Sequence, residues 1–333
     1  AAGATLVKHY RDMAFMGFWE VAKNLGTIRK LMRDCRADVL ANRPNVLILI
    51  DYAGFNLRMA AWAKLHGIRV FYYISPKVWA WNQRRALKIR ANVDRLFVIL
   101  PFEKTFFSQY DYEVEYVGNP LLDALANHRP NPMVVTQLGG SDKPIIALLP
   151  GSRRQEILSI LPVMLETTRQ FPEYRFVMST VSNLPDELYD TLLAHYPAVE
   201  RVSDAAYDVL SVASAALVTS GTATLETALL HVPQVVCYRT SWLSYVIARR
   251  LIAVPYISLV NLIVDRPLIT ELIQNDLTTN RTSDELRAIL PGGSRRSNVL
   301  AGYVDLQQRM GSAGASERTG VAMVAALRQL MTG

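Results

Sequence analysis

The amino-acid sequence predicts an α/β protein built from two Rossmann-like halves, each with a doubly wound parallel sheet. Apolar runs such as residues 45–51 and 145–149 are typical of strands buried on both faces. A stretch with helical periodicity follows each run, and this alternation of strand and helix indicates parallel sheets. Residues 131–144 are rich in Pro, Gly and Asn, as linkers often are. We therefore predict an N-terminal domain over residues 1–130, a linker over 131–144, a C-terminal domain over 145–300 and a helical tail over 301–333.

Composition narrows the classes of function. The chain has 333 residues, enough for two domains, and its formal net charge of +7 favours anionic partners such as phosphates, acidic membranes or nucleic acids. Cys35 and Cys237 lie far apart, and the five histidines are scattered, so neither a metal site nor a disulfide framework is predicted. No apolar run reaches the length of a membrane span, and no signal-peptide pattern is found. The two distant cysteines fit a reducing cytosol better than a secreted scaffold.

The stretch 147–161 (ALLPGSRRQEILSIL) predicts an anion site. A strand turns sharply through Gly151 and Ser152 into a helix that starts near Arg154. Such a turn aims free backbone N–H groups and the positive end of the helix dipole at one point. The guanidinium of Arg153 suits paired phosphate oxygens. The motif lacks the Gly-Lys-Ser/Thr of a Walker loop, and the alternative is an ordinary turn with a surface arginine.

A second junction of the same kind follows residues 216–219. Ser220, Gly221 and Thr222 lead into a helix that carries Glu226 about one turn in, where its carboxylate could accept hydrogen bonds from sugar hydroxyls. The alternative for Glu226 is an acid that complements the helix dipole. Asn261 is expected in a loop after a strand. Two such junctions in the second half predict a nucleotide-sugar enzyme that binds its nucleotide there and its acceptor on the first half.

In the first half, Asp51 ends a predicted strand, and ligands of parallel sheets bind beyond the carboxyl ends of strands. The alternative is that Asp51 caps the following helix. The segment SPKVWAW places Ser75 and Trp79 after the next strand, ahead of several basic residues. Tryptophans next to basic residues could bind single-stranded nucleic acid, but we favour core tryptophans beneath a solvated basic face.

An unusually apolar stretch opens the predicted helix over residues 13–32. It contains Phe15, Met16, Phe18 and Trp19, and basic side chains follow closely. The residues could belong to the core, as such stripes usually do, or could face a lipid or an anionic bilayer.

Six motifs in order along the chain resemble the lipid A disaccharide synthase family of GT-B glycosyltransferases. They are IDYAGFN (50–56), YISPKVWAWNQRR (73–85), LPFEK (100–104), LLPGSRRQEI (148–157), SGTATLE (220–226) and YISLVNLI (256–263). The family opens with a strand and a Gly-Glu-x-Ser-Gly-Asp loop that this sequence does not contain, so we expect the chain to begin part-way into that domain. Where the family often has an acid three residues after the key aspartate, this chain has Gly54, which leaves Asp51 as the retained carboxylate.

The resemblance implies the reaction. The family transfers 2,3-diacylglucosamine from its UDP form to 2,3-diacylglucosamine 1-phosphate, a lipid X-type acceptor, with inversion and release of UDP. It implies that Asp51 is the catalytic base, that Glu226 holds the ribose and that Asn261 orients the donor. The leaving diphosphate would be stabilised without a metal or other cofactor by Gly151, Ser152, Arg153, Ser220, Gly221 and Thr222.

The resemblance also implies the surroundings of the enzyme. Asn56, Ser75 and Trp79 would line the acceptor cleft, and the apolar stretch with Phe15, Met16, Phe18 and Trp19 would face lipid at the inner surface of the cytoplasmic membrane. Nucleic acid is not expected as a partner, and dimers could form by exchange of C-terminal segments. The alternatives are another GT-B nucleotide-sugar enzyme, such as a UDP-N-acetylglucosamine epimerase, and a basic nucleotide- or RNA-binding module.

Overall fold

A computed structural model describes residue 3, residues 5–7, residues 25–140 and residues 142–332. The chain divides into two compact units. Unit 1 comprises Ala1–Pro76, Arg85–Phe97 and Met323–Gly333, and unit 2 comprises Lys77–Arg84 and Val98–Ala322. The four residues predicted to face lipid, Phe15, Met16, Phe18 and Trp19, lie outside the described residues.

Residues 25–140 alternate between helix and strand, as the sequence predicts. In chain order the described elements are α1 (Leu25–Asn42), β1 (Val46–Ile50), α2 (Ala53–Leu65), β2 (Arg69–Tyr73), α3 (Val78–Trp81), α4 (Arg85–Asn92), β3 (Arg95–Val98), α5 (Glu103–Ser108), β4 (Glu115–Tyr116), α6 (Pro120–Asn127) and α7 (Pro132–Leu138). In unit 1, β2 pairs in parallel with both β1 and β3. The carboxyl ends of these strands therefore lie along one edge, where Asp51 follows β1.

The rest of the chain continues the alternation. The elements are β5 (Ile145–Leu149), α8 (Arg154–Thr168), β6 (Arg175–Thr180), α9 (Asp186–Leu193), β7 (Val199–Ser203), α10 (Ala206–Val212), β8 (Ala213–Thr219), α11 (Thr222–Leu229), β9 (Gln234–Tyr238), α12 (Trp242–Leu251), α13 (Leu259–Val264), β10 (Thr270–Ile273), a 3₁₀ turn (Gln274–Asp276), α14 (Thr279–Ile289), α15 (Arg296–Met310) and α16 (Ala315–Thr332).

Six of these strands form the sheet of unit 2, in the order β10-β9-β8-β5-β6-β7 with every pair parallel. All five residues of β5 are buried, as its apolar run predicts. Ala147 and Leu149 on one face pack in a core cluster with side chains of α7 and α10. Helices α8 and α14 pack against each other and against β8 and β9. This arrangement supports the turns that follow β5 and β8.

Part of the predicted linker is helical. Residues 131–144 contain α7, because Asn131 accepts a hydrogen bond from the Met133 N–H and Pro132 occupies the first helical position. Asn131 and Pro132, residue types that are also typical of turns, therefore start a helix here. Val134 and Leu138 of α7 are buried in the core cluster. Among the described helices, none has both the length and the hydropathy needed to cross a membrane.

Candidate active site

The turns that follow β5 and β8 lie side by side because these strands are parallel neighbours, with Leu149 opposite Val218. Gly151 has a φ of +102°, and a Cβ there would lie 2.8 Å from Glu156 Oε2 and 3.3 Å from Thr219 Cγ2. Glycine is therefore required both for the backbone conformation and for the close approach of the two turns. The hydroxyl of Thr219 is buried, and it has no hydrogen-bond partner within the described part of the chain.

Both turns lead directly into helices. Helix α8 starts at Arg154 with Arg153 as its N-cap, and α11 starts at Thr222 with Gly221 as its N-cap; neither N-cap residue bonds a backbone N–H through its side chain. In α11 the Thr224 N–H donates to the Gly221 carbonyl at 3.3 Å. The other N–H groups of the first turns are available beyond the carboxyl edge of the sheet, together with the positive ends of two helix dipoles. This arrangement suits a diphosphate.

Arg153 adds a positive charge at the same place. Its Nη1 donates to Glu156 Oε1 at 2.8 Å, and 61% of its side chain is exposed. Such exposed ion pairs contribute little to stability, about 0–1 kcal/mol, so a phosphate can replace Glu156 as partner of the guanidinium at small cost. Burial raises the pKa of the neighbouring Tyr238, on which the charges of Glu156 and Arg153 act in opposite directions.

Glu226 lies on α11 and is half-buried. The Tyr207 hydroxyl donates to its Oε1 at 3.2 Å. Burial raises the pKa of Glu226, and the hydrogen bond from Tyr207 opposes that rise. Burial and the adjacent carboxylate raise the pKa of Tyr207 to about 12, so its hydroxyl stays a donor at neutral pH. Glu226 can accept further hydrogen bonds, which its predicted contact with a ribose requires.

A cleft of about 480 Å³ within unit 2 adjoins the two turns. Its lining includes Arg153, Ser220 and Gly221, two further cations and four aromatic rings. The additional cations are Lys77 and Arg249, and the aromatic residues are Trp79, Tyr238, Tyr245 and Tyr256. The cleft therefore joins an anion-binding edge to an aromatic and aliphatic wall.

Trp79 is fixed in this wall by Glu103, a residue whose role the sequence analysis missed. The indole Nε1–H donates to Glu103 Oε1 at 3.2 Å, and the ring meets Phe102 edge-on at 5.0 Å. The N–H groups of Ile99 and Leu100 donate to the other carboxyl oxygen at 3.1 and 2.9 Å. Burial raises the pKa of Glu103 to about 7 despite these three donors. Trp79 is itself buried, as predicted for a core tryptophan, but Trp81 is 45% exposed, so the prediction of core tryptophans is wrong for Trp81.

In unit 1, Asp51 has a φ of +47° at the end of β1, and its side chain is exposed. Asn56 donates to the carbonyls of Asp51 and Ile50 at 2.8 and 3.0 Å, and the Tyr72 hydroxyl also donates to the Asp51 carbonyl. The N-cap of α2 is Tyr52, so the alternative reading of Asp51 as the helix cap is wrong. Its carboxylate forms no hydrogen bond or ion pair with any described residue, which leaves it available to a ligand.

Three residues predicted at the site make hydrogen bonds within the protein instead. Asn56 is buried against the Asp51 turn and positions it. Ser75 is buried, and its hydroxyl donates to the Pro76 carbonyl at 3.1 Å. Asn261 was expected in a loop, but it lies in α13. It is buried and exchanges hydrogen bonds with the Ile269 backbone, and it also donates to Glu271. Its amide therefore braces the protein around the cleft.

Within residues 25–140 and 142–332, no three His, Cys, Asp or Glu side chains converge as metal ligands would.

Comparison with known proteins decides the family. The model of the Lipid-A-disaccharide synthetase family matches residues 1–322. The lipid-A-disaccharide synthase of Syntrophus aciditrophicus is 40% identical over 327 residues, covering 96% of this chain and 85% of the relative. That of Geobacter sulfurreducens is 35% identical over 323 residues, covering 95% and 84%. The chain belongs to the lipid-A-disaccharide synthetase family.

As a member of this family, the chain is a glycosyltransferase of lipid A biosynthesis, and the predicted family is confirmed. Solved structures agree on the fold. The UDP-GlcNAc 2-epimerase of Neisseria meningitidis bound to UDP-GlcNAc matches with a TM-score of 0.61 at 15% identity, covering 94% of this chain and 83% of that one. The calicheamicin glycosyltransferase CalG4 matches with a TM-score of 0.58 at 14% identity, covering 95% and 85%. The GT-B fold is shared with epimerases, but the synthase relatives do not favour that alternative function.

Proposed function

We propose that the chain joins UDP-2,3-diacylglucosamine to 2,3-diacylglucosamine 1-phosphate. The products are the β-1,6-linked lipid A disaccharide 1-phosphate and UDP. The observation that carries this proposal is the pair of helix starts at Gly151–Arg153 and Ser220–Thr222, held together on neighbouring strands in a chain of this family.

Asp51 acts as the general base. It takes the proton of the acceptor 6-hydroxyl while that oxygen attacks C1 of the donor sugar, and the bond from C1 to the diphosphate oxygen breaks on the opposite face. General-base catalysis of this kind contributes about 10²–10⁴-fold in rate. Its carboxylate has no described hydrogen-bond or ion-pair partner, while Asn56 and Tyr72 hold the turn that carries it.

The leaving UDP gains negative charge on its diphosphate. The N–H groups that follow Gly151 and Gly221, the two helix dipoles and the Arg153 guanidinium stabilise that charge, and Glu226 holds the ribose. Loss of one such donor typically costs about 10²–10³-fold in rate. These donors meet the charge of the leaving group without a metal ion.

The test is Asp51→Asn, with Asp34→Asn as the matched control. Asp34 is another exposed acid of unit 1, and within the described part of the chain its ion-pair contact is with the exposed Arg33 at 3.9 Å. We expect D51N to lose turnover and to bind UDP as the unmodified enzyme does by calorimetry, and D34N to keep both. Full turnover in D51N would remove Asp51 from the mechanism.

We also propose that the enzyme works at the inner surface of the cytoplasmic membrane. Both proposed substrates carry acyl chains, and the net charge of +7 favours an anionic surface. Replacing Phe15, Phe18 and Trp19 with Ser should reduce sedimentation with anionic vesicles and leave the thermal transition in place. A lost transition would identify these residues as core instead.

A further inference from the structure

The cleft of unit 2 changes character along the edge of the sheet. Arg153 follows β5 and Ser220 follows β8, whereas Ile273 ends β10. The order β10-β9-β8-β5 separates β5 from β10 by three strand spacings. At about 4.8 Å each, these spacings put the two strand ends about 14 Å apart. The cleft thus extends from the anion-binding turns to an aliphatic region well beyond them.

The aliphatic part of this lining, called the wall from here on, is accessible. It consists of side chains from α12, from residues 252–262 and from the end of β10, namely Ala248, Ile252, Val254, Ile257, Leu262 and Ile273. Ile252 is 41% exposed, and the other five are half-buried. Apolar surface inside a cleft becomes favourable when a ligand covers it, which makes this wall a binding surface for an apolar group.

Two hydrogen bonds hold this wall in place, and one of them attaches it to the polar part of the cleft. The Ser220 hydroxyl donates to the Ile257 carbonyl at 3.4 Å, so the aliphatic segment starts beside the second anion-binding turn. The Ala253 N–H donates to the Ala80 carbonyl at 2.8 Å, which holds this segment against α3. A ligand whose diphosphate sits at the turns can therefore extend along the wall without leaving the cleft.

We propose that this wall binds a fatty acyl chain of the donor sugar, so that it sets the chain length that the enzyme prefers. This inference rests on the proposed function, which supplies a donor that carries its acyl chains on the sugar next to the diphosphate. Since the diphosphate is held at β5 and β8, the covalently attached chain is the apolar group that reaches the wall. Each methylene buried there contributes about fourfold to affinity, and two contribute roughly 15-fold.

The test varies a residue of the wall and the acyl-chain length of the donor together. Ile252→Trp places a bulky ring on the wall at an exposed position, and Leu251→Trp is the matched control, because Leu251 is the preceding residue, is 52% exposed and does not line the cleft. For each variant, kcat/KM is measured with UDP-diacylglucosamine donors of increasing acyl length, and the Kd of UDP is measured by calorimetry.

We expect I252W to lose kcat/KM for long-chain donors by roughly 15-fold or more, equivalent to two or more excluded methylenes, with short-chain donors and UDP unaffected. The variant L251W should behave as the unmodified enzyme. Ile252→Ser, which adds no bulk, should flatten the dependence on chain length, and it serves as the readout if I252W does not fold. An unchanged length dependence in both Ile252 variants overturns the inference, as does an equal effect in L251W. Failure of the proposed function looks different, because the unmodified enzyme would then not bind UDP or form disaccharide.

Discussion

Replacing Glu226 with Gln should stabilise the ligand-free protein and weaken its binding of UDP. Burial raises the pKa of this carboxyl above its ordinary value of 4.5. The folded state therefore binds a proton more readily than the unfolded state, and its stability falls as the pH rises from the ordinary value through the raised one. At neutral pH the ionised Glu226 therefore lowers the stability of the folded protein. Glutamine removes the charge and keeps an oxygen that can accept the Tyr207 hydroxyl.

The expected loss of binding follows from the hydrogen bonds. In the proposed complex the carboxylate accepts from the ribose hydroxyls, and hydrogen bonds to charged groups contribute about 1.5–3 kcal/mol. The side-chain amide in E226Q is neutral and has one acceptor oxygen, shared with Tyr207, in place of two charged ones, so we expect the Kd of UDP to rise about 10- to 150-fold. At a UDP concentration of about 100 times the unmodified Kd, the stabilisation by UDP should fall from about 2.7 kcal/mol to about 0.3–1.4 kcal/mol.

Calorimetric titration with UDP and thermal denaturation with and without UDP at pH 7 measure both effects. Glu187→Gln is the control, since Glu187 is an exposed acid in the first turn of α9. The gain in melting temperature of ligand-free E226Q should disappear at a pH below 4.5, where the carboxyl is protonated in both states. An unchanged Kd for UDP, or a ligand-free variant that melts below the unmodified protein, would refute this reasoning.

Two further predictions concern Asp123 at the start of α16 and the proposal that the reaction needs no metal ion. Burial disfavours the charge of Asp123, but the N–H groups of Gly314, Ala315 and Ser316 at the start of α16 outweigh it and hold its pKa at about 2. Asp123→Ala should cost about 1 kcal/mol and lower the melting temperature by about 2–4 °C at pH 7, and the difference should vanish as the pH falls from 3.8 towards 2. Dialysis against EDTA should leave disaccharide synthesis unchanged, because backbone N–H groups and Arg153 meet the charge of the diphosphate; loss of activity that Mg²⁺ restores would contradict this.

Much of the framework of the fold could be predicted because strands such as β1 and β5 are apolar runs. The prediction that residues 45–51 are buried on both faces is wrong, since Ile48 and Ile50 of the edge strand β1 are 44% and 55% exposed. Residues 145–149 and the helix start at Arg154 agree with the structure residue for residue. The strands β7 and β10 were not predicted, since VERVS and TELI carry charged residues that mask so short a pattern. The run YISLVNL predicts a loop at Asn261, whereas the structure places Asn261 in a helix that Ser258 caps by accepting a hydrogen bond from the Asn261 N–H.

The candidate site could be predicted only where local sequence determines it. A strand, a glycine turn and a helix form a contiguous unit, and so the sequence predicts the geometry of both candidate anion-binding turns. The role of Glu103 depends on Trp79, which lies 24 residues earlier in the chain. Whether Ser75 or Asn56 faces a ligand depends on tertiary burial, which no local pattern encodes. Motif resemblance marked all of these segments but did not separate the residues that contact a ligand from those that support them.

The hydrogen bonds of four carboxyl groups in unit 2, those of Glu103, Asp208, Glu226 and Glu271, illustrate that separation. A carboxylate can accept about four hydrogen bonds. Glu271 receives four from described donors, Glu103 receives three and Asp208 receives two. Glu226 receives one, from Tyr207. A half-buried carboxylate with so few protein donors is costly unless something else supplies them, whereas the others are satisfied by the fold itself. Glu226 is therefore the carboxyl of this group whose hydrogen bonding a ligand must complete, and the hydroxyl pair of a ribose has the right chemistry to do so.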